Sequence, residues 1–260
     1  MIAAAPPVET LVALFALAGI PVLVLATVFD ARGRLFPSGR SRAHPPQRPG
    51  EALGVGLALF AGVCVAQGVL QQLGMIVEEE GRWRPTGPAL LCTTAVALAG
   101  TVVAHRLFWR RLARPAVRPG GLVVQGALAF LAVLPVVYGL GAAVETWLGV
   151  APDQESVRVV EQRGVGWWGV IPFALLAAPW MEEMVFRGAL FSGLRARLGP
   201  QAAAALSSVA FGAVHADWGA LIPLTAFGVF LCWLVERTGS LLPSVTAHFL
   251  FNALSLAALL

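Results

Sequence analysis

The stretch Pro179-Trp180-Met181-Glu182-Glu183-Met184-Val185-Phe186-Arg187 places two adjacent carboxylates and a guanidinium in an apolar run that continues from Trp167 towards Leu190. A carboxylate in hydrocarbon costs roughly 2.5 to 3.5 kcal/mol on insertion scales, so ionisable side chains at membrane depth mark a functional site. The stretch therefore indicates a membrane-embedded segment with a polar site inside it.

The composition of the whole chain also indicates a membrane protein. Of the 260 residues, 58% are hydrophobic and only 12% are charged, and the mean hydropathy of +0.78 lies outside the range of soluble domains. Eight segments have the roughly 20 residues that a helix needs to cross about 30 Å of hydrocarbon, and their continuous apolar character favours helices over a β-barrel. The predicted fold is an all-α, polytopic bundle of eight transmembrane helices: Leu11–Phe29, Ala52–Val77, Gly87–Ala104, Gly120–Val144, Gly164–Leu190, Leu198–Ala216, Trp218–Val235 and Thr238–Leu260.

The distribution of arginine predicts the orientation of this bundle. All 18 basic residues are Arg; five lie between the first two predicted spans, five between the third and fourth, and three at the next exit, whereas the opposite connections are rich in Glu and Asp. The positive-inside bias assigns the Arg-rich connections to the cytoplasm and both termini to the outside. The same pattern explains the positive net charge of the chain, because arginines in these connections can contact anionic lipids of the bilayer. The sequence contains no aromatic-basic motif of the kind that binds nucleic acid, so no nucleic acid partner is expected.

Charged residues divide the chain unevenly. Residues 1–150 carry no charge inside their predicted spans and form an N-terminal region of four spans, whereas residues 151–260 hold the ionisable residues at membrane depth and form the predicted catalytic core. Asp217 and Glu236 lie at span ends, where we expect them to be solvated. Three cysteines lie singly in separate spans, which gives no disulfide or zinc-cysteine pattern: Cys64, Cys92 and Cys232.

Helical spacing predicts which of the three charged side chains in the opening stretch form a pair. Residues four apart share a helix face, so Glu183 and Arg187 are predicted to form an intrahelical ion pair. Glu182 then points in another direction as an uncompensated carboxylate, which is the kind of group that activates water as a general base.

Two histidines lie on the following predicted spans. His215 closes the run Phe211-Gly212-Ala213-Val214-His215, and His248 lies four residues before Asn252 on the last span. From the predicted span ends and a rise of about 1.5 Å per residue, Glu182 and His248 each lie about 12 Å from the cytoplasmic side and His215 about 20 Å. We predict that the three meet in a pocket that opens towards the cytoplasm.

These elements resemble the signature of the CAAX-processing and bacteriocin-processing (CPBP) family of intramembrane proteases, with its Rce1-like, Abi and myxosortase-like members. The family pattern is Glu-Glu-x-x-x-Arg, Phe-x-x-x-His and His-x-x-x-Asn/Asp on successive core helices, and all three occur here in that order. The resemblance runs from Pro179 to Leu256 and includes the connecting stretches around Ser207-Ser208 and Thr238-Gly239-Ser240. It implies proteolysis of a peptide bond within or beside the membrane.

The resemblance also implies roles for the matched residues. Glutamate would activate the attacking water with help from the first histidine, while the second histidine and the asparagine would stabilise the oxyanion, where each donor is typically worth about 3 to 4 kcal/mol. Four residues are implied to be catalytic: Glu182, His215, His248 and Asn252. Three are implied to support them: Glu183, Arg187 and Phe211.

The residues leave metal use open. Glu182, His215 and His248 form an acceptable zinc ligand set with an open position for water. The chain contains no His-Glu-x-x-His sequence, and the resemblance also implies a metal-free mechanism in which glutamate is the base. We predict catalysis without a cofactor, with zinc as the alternative.

Two other functions stay open. The protein could be a non-catalytic membrane scaffold or immunity protein, although the intact motifs disfavour this, or an ion-coupled transporter, although no internal repeat is visible. The Arg-rich, Lys-free, Ala- and Gly-rich composition is typical of a GC-rich bacterial genome, in which prenylated CAAX substrates are not expected. The predicted partner is therefore a membrane-anchored bacterial protein or peptide at the inner membrane.

Overall fold

The computed structural model describes residues 49–79, 82–107, 118–151, 160 and 167–259, which are mostly helical. Within these residues the chain forms seven helices and one β-hairpin. The helices are α1 Pro49–Gln72, α2 Gly87–Leu107, α3 Pro119–Leu148, α4 Trp167–Leu198, α5 Pro200–Ala213, α6 Trp218–Thr238 and α7 Leu242–Ala257, and the strands are β1 Ile76–Glu79 and β2 Arg82–Pro85.

Five of the described helices, α1, α2, α3, α4 and α6, are long and apolar enough to cross a membrane. This confirms an integral membrane protein built from helices. Helices α5 and α7 have only 14 and 16 residues, because turns occupy part of the two apolar segments that were predicted to span. The predicted span Leu11–Phe29 lies outside the described residues, so the count of eight spans and the outward termini stay predictions.

The hairpin between α1 and α2 was not predicted. Helix α1 ends earlier than the predicted limit of Val77, because Gly74 adopts a φ of 69° and the backbone N–H of Met75 returns to the carbonyl of Leu70. This is the Schellman arrangement that ends many helices. Strand β1 then pairs antiparallel with β2, with Glu78 opposite Trp83.

The main core lies where α3, α4, α5, α6 and α7 meet. Small residues allow close approach of the helices, as is usual where transmembrane helices pack. A Cβ on Gly126 of α3 would lie 2.5 Å from the carbonyl oxygen of Pro243 in α7, and one on Gly228 of α6 would lie 2.8 Å from Cβ of Ser208 in α5. The buried side chains of this core include Phe130, Leu134, Phe186, Phe211, Phe227, Leu231 and Ala247.

A bidentate ion pair joins α4 to α6 at one end of the bundle. Arg195 donates from Nε to Glu236 Oε2 at 2.6 Å and from Nη2 to Glu236 Oε1 at 2.7 Å. The expectation that Glu236 is simply solvated was therefore wrong, because a long arginine side chain from the neighbouring helix reaches it.

Helix α4 carries two π-helical segments, Phe173–Ala177 and Glu183–Phe191. Pro179 lies between them and has no backbone N–H to donate to the preceding turn. Such wide turns occur frequently at functional sites. Here the second segment begins at the second glutamate of the doublet, so Glu182 ends a regular turn and Glu183 begins a wide one.

Candidate active site

The second glutamate of the doublet is neutralised inside the protein. Arg187 Nη1 donates to Glu183 Oε1 at 2.9 Å, and both side chains have 0% exposure. The guanidinium also lies 4.3 Å from the ring centroid of Phe211, a favourable cation–π contact. This is the ion pair that the four-residue spacing predicts. It leaves Glu182, the first carboxylate of the doublet, without Arg187 as a partner.

His248 of α7 bridges the two glutamates. Its Nδ1 lies 3.0 Å from Glu183 Oε1, and its Nε2 lies 3.7 Å from Glu182 Oε2. Because a carboxylate oxygen accepts, the Nδ1 contact assigns a proton to that nitrogen. Glu183 Oε1 therefore accepts from both Arg187 and His248, and this shared acceptor fixes the imidazole next to the first glutamate.

Glu182 differs from its neighbour by facing an open space. Its side chain retains 21% exposure, and among the described residues its buried Oε2 has no hydrogen-bond partner. It lines a partly open cavity of about 210 Å³ whose walls are Met181, Glu182, Val185, Phe186, Val214 and His215. Since a water molecule occupies about 30 Å³ in the liquid, the cavity has room for water next to this carboxylate.

His215 reaches the same cavity from a turn. Helix α5 ends at Ala213, so the prediction that this helix carries His215 was wrong. Its Nδ1 lies 2.8 Å from the carbonyl oxygen of Phe211. A carbonyl can only accept, so this contact assigns the proton to Nδ1 and leaves the lone pair on Nε2.

The turn that carries His215 is held by its own local contacts. Ala216 has a φ of 52°, in the left-handed region that few non-glycine residues adopt. The next residue, Asp217, accepts from the backbone N–H groups of Gly219 and Ala220 and caps the start of α6. Asp217 is only 9% exposed, so the expectation that it is solvated was wrong.

Asn252 bonds to α4. Its Nδ2 donates to the carbonyl oxygen of Ala174 at 2.9 Å. This carbonyl lies in the first π segment. The N–H of Ala178 donates to the carbonyl of Phe173, and Pro179 has no backbone N–H that could donate to the carbonyl of Ala174. Asn252 therefore supplies a donor that the helix lacks, and its second amide hydrogen is left for another acceptor.

The aromatic ring of Phe211 connects these polar groups. Its centroid lies 5.0 Å from the ring of His215, 5.7 Å from that of His248 and 5.3 Å from that of Phe186, all edge-to-face. With the guanidinium of Arg187 over its face, Phe211 forms an apolar wall between the two histidines.

Two serines that the spacing rules did not single out also belong to the site. Ser207 Oγ donates to the carbonyl of Phe186 at 2.8 Å, and Ser192 Oγ donates to the carbonyl of Arg187 at 2.9 Å. Both acceptors lie in the second π segment. A serine at a buried helix position is a weak signal by itself, because many such hydroxyls bond to the preceding turn of their own helix.

The alternative zinc set is not assembled in this arrangement. Within the described parts of the chain, no group of three His, Cys, Asp or Glu side chains is placed to hold a metal ion. Glu182 and His248 are close together, but His215 does not complete a set of three with them. Catalysis without a metal stays a prediction, and the mechanism proposed below uses none.

Comparisons with known proteins match the part of the chain that carries this site. Residues 164–254 match the sequence model of the family described as type II CAAX prenyl endopeptidase Rce1-like, a range that contains all three motifs. The chain is also 25% identical over 165 residues, 61% of its length and 68% of the relative's, to a Bacillus subtilis (strain 168) protein named "Putative membrane peptidase YdiL". No solved structure matches the chain significantly.

The helical bundle and its buried glutamate–histidine cluster, together with these matches, define the class as a membrane endopeptidase. Within that class, the matches confirm the resemblance to the CPBP family of intramembrane proteases.

Proposed function

We propose that the protein is a glutamate-dependent intramembrane endopeptidase that hydrolyses a peptide bond of a membrane-anchored protein or peptide in a bacterial inner membrane. The observation that carries the proposal is the position of His248, between Glu183 Oε1 at 3.0 Å and Glu182 Oε2 at 3.7 Å, beside a cavity that His215 also lines. One carboxylate of the doublet thereby supports the site, and the other faces the space where water and substrate meet.

The charges of the cluster support this division. Buried charges require partners, because an isolated ion in a low-dielectric interior is very costly. Arg187 balances Glu183. If Glu182 is ionised, the nearest group that can balance it is His248 carrying a second proton on Nε2, at 3.7 Å. The resting state that we propose is therefore a Glu182 carboxylate beside a His248 imidazolium.

Water attack follows from this resting state. Glu182 takes a proton from a water molecule in the cavity, and Nε2 of His215, whose lone pair is free because Nδ1 is bonded to Phe211, accepts a hydrogen bond from the same water. The hydroxide oxygen forms a bond to the carbonyl carbon of the scissile peptide. Protonated Glu182 then returns the proton to the leaving nitrogen as the C–N bond breaks.

The tetrahedral intermediate needs donors for its oxygen. In this proposal His248 donates from Nε2–H, and Asn252 donates through the amide hydrogen that is not used by Ala174. Glu183 acts through His248, because its shared Oε1 fixes the orientation of the imidazole. Glu183 and Arg187 are positioning residues that touch neither water nor substrate.

The test is cleavage of a membrane-tethered peptide library by purified protein in proteoliposomes, with products sequenced by mass spectrometry. Glu182→Gln keeps the shape of the side chain but removes its basicity, so we expect turnover to fall at least a thousandfold. The matched control is Glu78→Gln, the same change at an exposed carboxylate of the β1 strand, which is expected to leave turnover unchanged.

Full activity of the Glu182→Gln variant would remove the proposed base. Absence of cleavage by the parent protein, together with Glu182-dependent ion flux, would replace the protease by a transporter. Capture of a membrane protein that survives the combined loss of Glu182, His215 and His248 would favour a scaffold.

A further inference from the structure

Ser207 joins α5 to the helix that carries the glutamate doublet. Its side chain is fully buried, and its Oγ donates to the carbonyl oxygen of Phe186 in α4 at 2.8 Å. Phe186 lies four residues after Glu182 and lines the same cavity. Ser207 lies four residues before Phe211, so both side chains are on the face of α5 that packs against α4. The hydrogen bond therefore connects α5 to α4 at the level of the site.

The carbonyl that accepts this hydrogen bond lies in the second π segment of α4, Glu183–Phe191. Buried carbonyls in proteins are nearly always paired with a donor, and two successive carbonyls of this segment each accept from a serine hydroxyl. Ser192 of α4 itself donates to the carbonyl of Arg187 at 2.9 Å, whereas Ser207 donates from a different helix. Ser192 therefore stabilises the segment within α4, and Ser207 fixes α5 against it.

Further contacts link this part of α5 to His215. The ring of Phe211 packs edge-to-face on the ring of Phe186, with centroids 5.3 Å apart. The imidazole of His215 contacts Phe211 twice, because the two ring centroids are 5.0 Å apart and Nδ1 lies 2.8 Å from the carbonyl oxygen of Phe211. Phe186 thus binds α5 through its carbonyl to Ser207 and through its ring to Phe211. The position of His215 over α4 depends on both contacts.

The neighbouring serine faces another helix. Ser208 is also fully buried, but its Oγ lies 3.9 Å from Sγ of Cys232 in α6. A Cβ on Gly228 of the same helix would lie 3.0 Å from this Oγ. Ser208 therefore faces α6, whereas Ser207 faces α4. The two serines share their helix and their burial and differ in the helix that their hydroxyls contact, so they form a matched pair.

We propose that Ser207 is a positioning residue of the site: its hydroxyl fixes α5 against the second π segment and thereby sets where Nε2 of His215 lies relative to the Glu182 carboxylate. The inference rests on the proposed function, in which both groups contact the attacking water. Ser207 does not line the cavity, so it acts through His215. A displacement of about 1 Å between reacting groups can lower the rate about 100-fold, while substrate binding stays the same.

The first test compares Ser207→Ala with Ser208→Ala in steady-state cleavage of the same peptide. Removal of the Ser207 hydroxyl is expected to lower kcat about 10- to 100-fold and to leave KM within about twofold of the parent value. The matched control, Ser208→Ala, is expected to leave both parameters within about twofold, because its hydroxyl does not contact α4. Equal losses of kcat in the two variants, or a loss confined to KM, would overturn the inference.

A double-mutant cycle with His215→Gln identifies the residue through which Ser207 acts. If the hydroxyl acts by placing the imidazole, Ser207→Ala should lower kcat by less than about twofold once His215 has been replaced, because effects of coupled residues do not add. The same fold loss in both backgrounds would contradict the proposal, since Ser207 would then support the protein independently of His215.

A spectroscopic measurement tests the positioning without proteolysis. Protein labelled with 15N-histidine gives imidazole resonances for its four histidines, and those missing from the His215→Gln spectrum belong to His215. We expect Ser207→Ala to shift these resonances and Ser208→Ala to leave them in place. No shift, or equal shifts in both variants, would refute the positioning role even in an active peptidase. A shift in Ser207→Ala alone, in a protein that cleaves no peptide, would support the positioning of His215 and contradict only the proposed function.

Discussion

Replacing Arg187 by Met is expected to lower the free energy of unfolding by about 3 to 5 kcal/mol, because it leaves Glu183 as an uncompensated buried charge. Both side chains have 0% exposure and their 2.9 Å contact is direct. This loss of stability includes the loss of the cation–π contact between the Arg187 guanidinium and Phe211, which are 4.3 Å apart. The measurement is reversible unfolding of the detergent-solubilised protein.

A double-mutant cycle separates the ion pair from general damage to packing. Glu183→Gln removes the charge that Arg187→Met leaves behind, so the double variant should be more stable than Arg187→Met alone, with a coupling energy of about 2 to 3 kcal/mol. The control is the Arg195–Glu236 pair, whose side chains are 17% and 20% exposed. The double-mutant cycle of this pair is expected to give a coupling energy of about 1 kcal/mol or less.

Additive effects of Arg187→Met and Glu183→Gln would refute the reasoning, since the charges would then not depend on each other. A loss below about 1 kcal/mol for Arg187→Met alone would also refute it, because a buried carboxylate cannot lose its partner at so small a cost.

Three further predictions concern the helices around the site. His248→Gln keeps a polar side chain but removes the charged donor, so kcat should fall about 100- to 1,000-fold with little change in KM, measured by steady-state cleavage. Gly126→Ala places a Cβ 2.5 Å from the Pro243 carbonyl; forcing α3 and α7 apart should cost about 1 to 3 kcal/mol in unfolding experiments, and unchanged stability would contradict the close approach. Asp217→Ala removes two capping contacts of α6 and should cost about 1 kcal/mol; an Asp217→Ser variant, which restores a cap, is expected to recover most of it.

The sequence predicted the parts of the site that depend on spacing within one helix. Glu183 and Arg187 pair as their four-residue separation requires, although the segment turns out to be π-helical. Such rules could not predict the contact of His248 with both glutamates. His248 lies 65 positions from Glu183, and the contact depends on how α7 packs against α4. The order of the motifs indicated that His248 and the two glutamates lie close together. Only the structure shows that the imidazole lies between the two carboxylates.

Two errors arose because hydropathy alone does not show where helices end. The apolar run from Leu198 to Ala216 hides the end of α5 at Ala213, although Asp217 before Trp218-Gly219 is a typical N-cap signal that would have placed a helix start there. The apolar segment that was predicted to span up to Val77 similarly contains the first strand of the hairpin. Gly74 was the residue in the sequence that could have indicated the end of the helix before it.

The position of Phe211 has a consequence for how this site can change. The ring of Phe211 contacts both imidazoles and the guanidinium. A substitution at any of these three groups therefore changes the position of a ring against which the other two pack. Effects of residues that share such a partner do not add. The cluster must therefore be inherited as a unit, and transplanting a single one of its members into another bundle would carry over little of its chemistry.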